Sequence, residues 1–326
     1  MTVAEITEGG KAVQFTDRVV PWMKLGQITD TAPTAAEAAK LGGLDFNVSL
    51  RDCWFSNSEA MQTDAVPVMT KVANRKVVVR DDTEDPLGIV SSGYPVLQYR
   101  EAFDFMDSVV NGQDTRYVAA GALRGGKQGF MVVRAPDAMQ INVLDGKDPH
   151  EMFMVLRTSH DLTRAIEVMA MPLRGKCMNQ LTLTSFAANV PHRWSVRHTS
   201  TMKAKLEEAS KSIALLGQYA ARFNELAKRL VAIKVTDEKC KYVLDKVVPK
   251  TSVKRDEVVD AIIIKMHSSP TVGWDGTGWG LVNAVSDHYD WGRSGGSSAS
   301  RFLAALEGQT HKAINKTAAI LLKTAA

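Results

Sequence analysis

Gly121-Ala122-Leu123-Arg124-Gly125-Gly126-Lys127 agrees with the first seven positions of a phosphate-binding Walker loop. The eighth position, where a hydroxyl would hold Mg2+, is Gln128, and Phe130-Met131-Val132-Val133 reads as a strand where such a loop opens a helix. The segment is expected to be a Gly-Gly hairpin tip, with Arg124 and Lys127 placed to make point-charge contacts to a phosphate backbone. Ser159-His160-Asp161 holds the ingredients of a hydrolytic triad. Triad members converge from distant positions, however, and neighbours on a strand face opposite ways. Ser159 does not sit in a G-x-S-x-G elbow. A metal-dependent hydrolase or nuclease using His160, Asp161 and Glu167 is a minor alternative, since H-E-x-x-H, EF-hand and His/Cys/Cys deaminase spacings are all absent. Cys177, His192 and His198 read as structural polar residues. The sequence therefore predicts no catalytic residue, no metal and no cofactor.

Val168–Leu206 differs from the rest of the chain. It holds Arg174, Lys176, Arg193, Arg197, Lys203 and Lys205 with His192 and His198, and no Asp or Glu, in a chain whose formal net charge is only +4. Cations of this kind neutralise phosphates and release counterions. The interleaved Asn179, Gln180, Thr182, Thr184 and Ser185 could hydrogen-bond phosphate oxygens, and Trp194 could stack an unpaired base. A solvated basic face, or a surface for an acidic protein, is the plainer reading of the same residues. A second basic zone closes the chain, where Arg293, Arg301, Lys312, Lys316 and Lys323 face the lone acid Glu307. Arg293 and Arg301 flank a Ser/Gly loop that enters a helix, and free backbone N–H groups there could hold a phosphate.

These residues need a frame. The 326 residues are 45% apolar and 23% charged, an ordinary globular composition. Three scattered cysteines, Cys53, Cys177 and Cys240, exclude a disulfide framework and read as reduced thiols. Neither a secretory leader nor an apolar run of membrane-spanning length is visible, which predicts a soluble, intracellular protein. Residues 1–75 read as a loosely structured, mildly acidic segment. Residues 76–199 read as an α+β core. Its expected strands are Lys76–Arg80, Leu87–Val90, Tyr117–Leu123, Phe130–Val133, Met139–Leu144, Met152–Leu156 and Ala165–Met171, with one helix over Leu97–Val110. Short connections favour an antiparallel sheet. Residues 200–326 read as helical. Met202, Leu206, Ala209, Ile213, Leu216, Ala220, Phe223, Ala227 and Leu230 form a heptad seam on one long helix, and shorter helices follow at 236–247, 253–267, 277–290 and 299–322. The fold class is thus α+β: an antiparallel sheet core with a packed helix, then a helical C-terminal part. The seam packs either on the chain's own core or on another subunit.

Asp85-Pro86-Leu87-Gly88-Ile89-Val90, Glu101-Ala102-Phe103-Asp104, Ala120–Lys127, Ser159-His160-Asp161, Arg174–Leu181, Val196-Arg197-His198-Thr199 and Asn283…His288 carry a resemblance. Together with Pro21-Trp22, they resemble the phage/plasmid-like family known as domain of unknown function 932. That family usually has Gly after Ser-His-Asp, where this chain has Leu162, and often His after Pro-Trp, where this chain has Met23. The resemblance implies a gene of a phage or mobile element, expressed in the bacterial host cytoplasm. At the level of fold, the arrangement is also similar to the single-strand annealing recombinases of phages.

The expected function is an ATP-independent single-stranded DNA-binding and annealing protein, forming a homo-oligomeric ring or filament. A host or phage single-strand-binding protein is a further expected partner, and no membrane is involved. The expected contacts are Arg174, Lys176, Arg193, Trp194, Arg197, His198, Lys203, Lys205, Arg124, Lys127, Arg293 and Arg301. The alternative is a non-enzymatic phage protein that binds and modulates a host protein.

Overall fold

The computed structural model describes residues 12–14, 27–28, 34–56, 68–109, 117–135, 141, 143–148, 150–174, 182–183, 193–268, 273–292 and 303–325. Side chains of Lys203 and of residues 207–217, and of the first two strands, fall outside that description. Met139 to Gln140, Lys176, Cys177, His192, Arg293 and Arg301 also lie outside it, as do Pro21, Trp22 and Met23.

The strands are β1 (Ala12–Gln14), β2 (Gln27–Ile28), β3 (Val48–Ser56), β4 (Met69–Arg80), β5 (Pro86–Ser91), β6 (Tyr117–Leu123), β7 (Gln128–Arg134), β8 (His150–Ser159), β9 (Ile166–Arg174) and β10 (Arg193–Val196). The helices are α1 (Ala35–Leu41), α2 (Tyr99–Val109), α3 (Met202–Ala232), α4 (Asp237–Val247), α5 (Arg255–Met266), α6 (Gly278–Trp291) and α7 (Gln309–Lys323). The fold is α+β. A seven-stranded sheet has the order β10-β9-β8-β7-β6-β1-β2 and is antiparallel except for the β1–β2 pair; a second, antiparallel sheet has the order β3-β4-β5.

The large sheet is covered on both faces. Met131, Val133, Met152, Met154, Leu156, Val168 and Ala170 enter the main core with the helices. The alternate residues Phe130, Val132, Phe153, Val155, Met169 and Met171 form a second cluster with Leu303 and Leu306 from a single helical turn at 303–306. Burial on both sides explains why β7 to β9 read as unbroken apolar runs and not as an alternation. Among the described residues β10 pairs with β9 from Ile166 to Met169, so Pro172 lies outside that pairing, where a proline is tolerated.

Several boundaries differ from those expected. The division near residue 76 falls inside β4, which starts at Met69, and α1 and β3 also belong to the segment expected to be loose. Thr34 and Glu37 form a capping box on α1, a local start signal in what reads as a Thr/Ala-rich coil. Val143–Gly146 is a 3-10 turn and not strand, with Leu144 and Asp145 at positive φ before Gly146. Short β10 has too few residues to show a period of two. The described part of the heptad seam is internal, since Met202, Leu206, Ala220, Phe223, Ala227 and Leu230 all lie in the main core.

Candidate functional site: a basic end of the large sheet

The acid-free stretch is acid-free only along the chain. Arg174 ends β9 with its side chain fully buried, and its Nε donates to Asp148 Oδ1 at 2.7 Å. Trp279 Nε1 of α6 donates to the other oxygen of Asp148, also at 2.7 Å. A charge at this depth is held by its partner and not offered to a ligand. Arg174 is therefore corrected from a phosphate contact to a structural pair tying β9 to α6. His150 shares this site, its Nδ1 set 2.9 Å from the Asp148 carbonyl oxygen. Burial pushes its pKa down to about 4, against the pull of Asp148.

Arg193 is paired too, but its side chain stays 42% exposed. It stands in β10 beside β9, with Nη1 3.1 Å from Glu167 Oε1 and 3.9 Å from Glu307 Oε2. Arg157, paired cross-strand with Glu167, gives Nη2 to both Glu167 and Glu307 at 2.8 Å, and Arg164 also pairs with Glu307. Three guanidinium groups thus surround two carboxylates. Burial pushes Glu307 up, but its hydrogen bond and charge contact with Arg157, joined by Arg164, hold it below the usual carboxylate range. The acids that neutralise the stretch come from Asp148, from Glu167 one residue before its start, and from Glu307 in the last helical region. Glu167 was within sight of the sequence window; the other two were not.

The aromatic and imidazole groups are likewise occupied. Trp194 is half-buried, its ring centroid 5.7 Å from Phe105. His198 stacks on Tyr94 at 5.2 Å and sets Nε2 3.2 Å from Thr158 Oγ1. Its pKa is lowered by burial, which outweighs a hydrogen bond with the Pro95 backbone.

Ser159-His160-Asp161 builds the turn between β8 and β9. Ser159 Oγ accepts from Arg164 N at 2.9 Å and lies 3.2 Å from Arg164 O. Asp161 Oδ1 accepts from the backbone N and the hydroxyl of Thr163. His160 is buried against Tyr99, with ring centroids 4.6 Å apart, and burial lowers its pKa to about 3, with the His198 charge adding to the effect. Glu167, the third member of the hydrolase alternative, is committed to Arg157 and Arg193. Among the described residues no group of three or more His, Cys, Asp or Glu side chains could hold a metal ion. Leu162 follows the triplet with φ of 63°, a conformation that glycine adopts freely. Leu162 therefore carries backbone strain in this turn. A Cβ at Gly88 of β5 would lie 2.6 Å from the His160 carbonyl oxygen, so glycine there lets the small sheet touch this turn.

What remains is a set of cations gathered by topology. The β6–β7 tip holds Arg124, which is exposed, and Lys127, which is half-buried. The Lys127 carbonyl accepts from His160 N at 2.8 Å, which joins that tip to the β8–β9 turn. Val196 lies opposite Ile166 at the same turn, so exposed Arg197 emerges there, and exposed Lys205 follows in the first turn of α3. Arg80 of β4 reaches in with Nη1 3.4 Å from the Gly125 carbonyl oxygen. Arg124, Lys127, Arg197 and Lys205 have no carboxylate partner among the described residues. Residues Arg124 and Arg197, distant in sequence, thus share one end of the large sheet. Sequence reasoning overlooked Trp54, Phe55 and Arg75 of the small sheet, all exposed. Their only signal was the adjacent aromatic pair within an otherwise unremarked apolar run.

No helix among the described residues is long and apolar enough to cross a membrane. No curated protein and no solved structure matches the chain. Residues 86–321, from β5 through most of α7 and including the whole basic end, match the family described as Domain of unknown function (DUF932), and the chain belongs to that family.

Proposed function

We propose that the protein binds single-stranded DNA without nucleotide hydrolysis and anneals complementary strands, as a ring or filament of identical subunits in a bacterial cytoplasm infected by a phage or carrying a mobile element. The observation that supports this reading is the convergence of Arg124, Lys127, Arg197 and Lys205, without carboxylate partners among the described residues, at one end of the large sheet. Cations on a rigid sheet end and a helix start neutralise phosphates without engaging base edges. Bases held outward in this way remain free to test a second strand for complementarity, and no fuel is required. Arg174 takes no part in the contact, since it is buried on Asp148; it braces the sheet behind it.

Binding of a labelled oligonucleotide measured against salt tests the reading. Each phosphate contacted on a single strand contributes a slope of about −0.7 in log K against log salt, so four contacts predict about −3. Replacing Arg124 and Arg197 together by Ala should weaken binding to all sequences alike and flatten the slope by roughly 1.4. Absence of binding near about 50 mM salt, or a flat salt response, overturns the proposal.

A further inference from the structure

The small sheet carries an exposed surface of another kind. β5 pairs with β4 only from Arg75 to Val79, so beyond Asn74 the chain is a two-stranded ribbon of β3 and β4, with Trp54 opposite Lys71, Phe55 opposite Thr70 and Ser56 opposite Met69. Trp54 is 50% exposed and Phe55 54%, and neither ring has an aromatic partner among the described residues. Val68 and Met69 beside them are also exposed. β3 and β4 together hold Arg51, Lys71, Arg75, Lys76 and Arg80 against the single acid Asp52, while the segment joining them holds Glu59 and Asp64. Lys71 and Lys76 share Asp52, and Arg75 has no carboxylate partner among the described residues. Surface pairs of this kind contribute little and give way readily to a phosphate.

We propose that the β3–β4 ribbon is a stacking platform for single-stranded nucleic acid: Trp54, on the face it shares with Lys71, Asp52 and Lys76, holds an unpaired base while those lysines meet the adjoining phosphates, and Phe55 offers a second ring on the opposite face. This inference rests on the reading above and supplies what that reading lacks, because Trp194 is packed on Phe105 and cannot present a free face. Free aromatic rings beside cations are the elements that sequence-tolerant single-strand binding uses. β4 connects the two contact regions directly. Its Arg80 end touches the β6–β7 tip, and its Lys71 end lies nine residues away, roughly 30 Å at the rise of an extended strand. A bound strand running along β4 would meet phosphate contacts first and stacked bases at the far end.

The test uses the full chain, a labelled oligothymidylate and an abasic deoxyribose-phosphate strand of the same length. The wild-type protein should prefer the oligothymidylate by about 10- to 100-fold. The double variant Trp54→Ala/Phe55→Ala should lose that preference while keeping its affinity for the abasic strand and the same salt slope. Both residues are exposed, so its thermal midpoint should match the wild type. A double variant that retains the preference overturns the inference and leaves the parent reading intact. So does a double variant that retains the preference while light scattering shows a smaller assembly, since the ribbon is then a seam between copies. A wild-type protein that binds neither strand overturns the parent reading itself.

Discussion

Arg174 and Arg75 both stand on long strands, and both occur in runs where cations outnumber acids. Arg174 is fully buried with its Nε on Asp148, whereas Arg75 is exposed with no carboxylate partner among the described residues. The same contrast holds for the tryptophans: Trp194 packs against Phe105, and Trp54 is 50% exposed. The sequence marks Val168–Leu206 as the more conspicuous of the two regions, yet the fold uses its Arg174, Trp194 and His198 internally and ties Arg193 to Glu167. The β3–β4 ribbon has a smaller skew in charge and keeps its rings in solvent. An excess of one charge along a chain thus measures what must be neutralised, and whether a neighbour or a ligand does so depends on tertiary packing.

The largest expected effect comes from breaking the internal side of that contrast. Arg174→Ala leaves Asp148 buried without its cation and should destabilise the protein by about 3–5 kcal/mol in urea denaturation. If Arg174 were instead a surface contact, the loss would stay within about 0.5 kcal/mol. His150, in the same site, sharpens the comparison through pH. Its folded pKa is lowered to about 4, while the unfolded chain protonates near 6.5. The unfolded state therefore binds more protons below pH 6.5, and stability falls as pH drops from there toward 4, by on the order of 3 kcal/mol. His150→Phe should flatten the dependence over that window, as followed by denaturation midpoints. The two tryptophans come next. Trp194→Ala should cost about 2 kcal/mol, because half of a core ring is lost, and Trp54→Ala should stay within about 0.5 kcal/mol. One effect has the opposite sign: Leu162→Gly should raise stability by about 1 kcal/mol by relieving a left-handed backbone at an exposed turn, read as a higher thermal midpoint.

His267 offers a control outside both regions. It bridges Asp237 and Asp275 at the surface, and the Asp237 hydrogen bond raises its pKa. Its contribution to stability is present in full below pH 6.5 and is lost as pH rises through the raised value, the reverse of His150.

Much of the architecture was legible because it is local. The β6–β7 and β8–β9 hairpins follow from apolar runs punctuated by Gly125-Gly126 and by a polar turn, and α3 follows from its heptad spacing. The reading of Gly121–Lys127 as a hairpin tip and of Ser159-His160-Asp161 as something other than a triad both rested on such local geometry. β3, the front of β4 and β10 were not legible, since their residues find pairing partners and a buried face only through contacts made elsewhere in the chain.

By itself the sequence determined the α+β class, the order of most elements and the presence of a basic excess. Hydrophobic period, turn formers and charge are properties of neighbouring residues, so these could be read without a fold. Only the tertiary structure decided which cations are free. Asp148 and Glu307 reach Arg174 and Arg193 through sheet pairing and helix packing, and a buried charge requires such a partner wherever the chain can bring one. The same packing set Trp194 against α2, left Trp54 half-exposed, and kept only Arg197 and Lys205 of the basic stretch exposed without a carboxylate partner among the described residues.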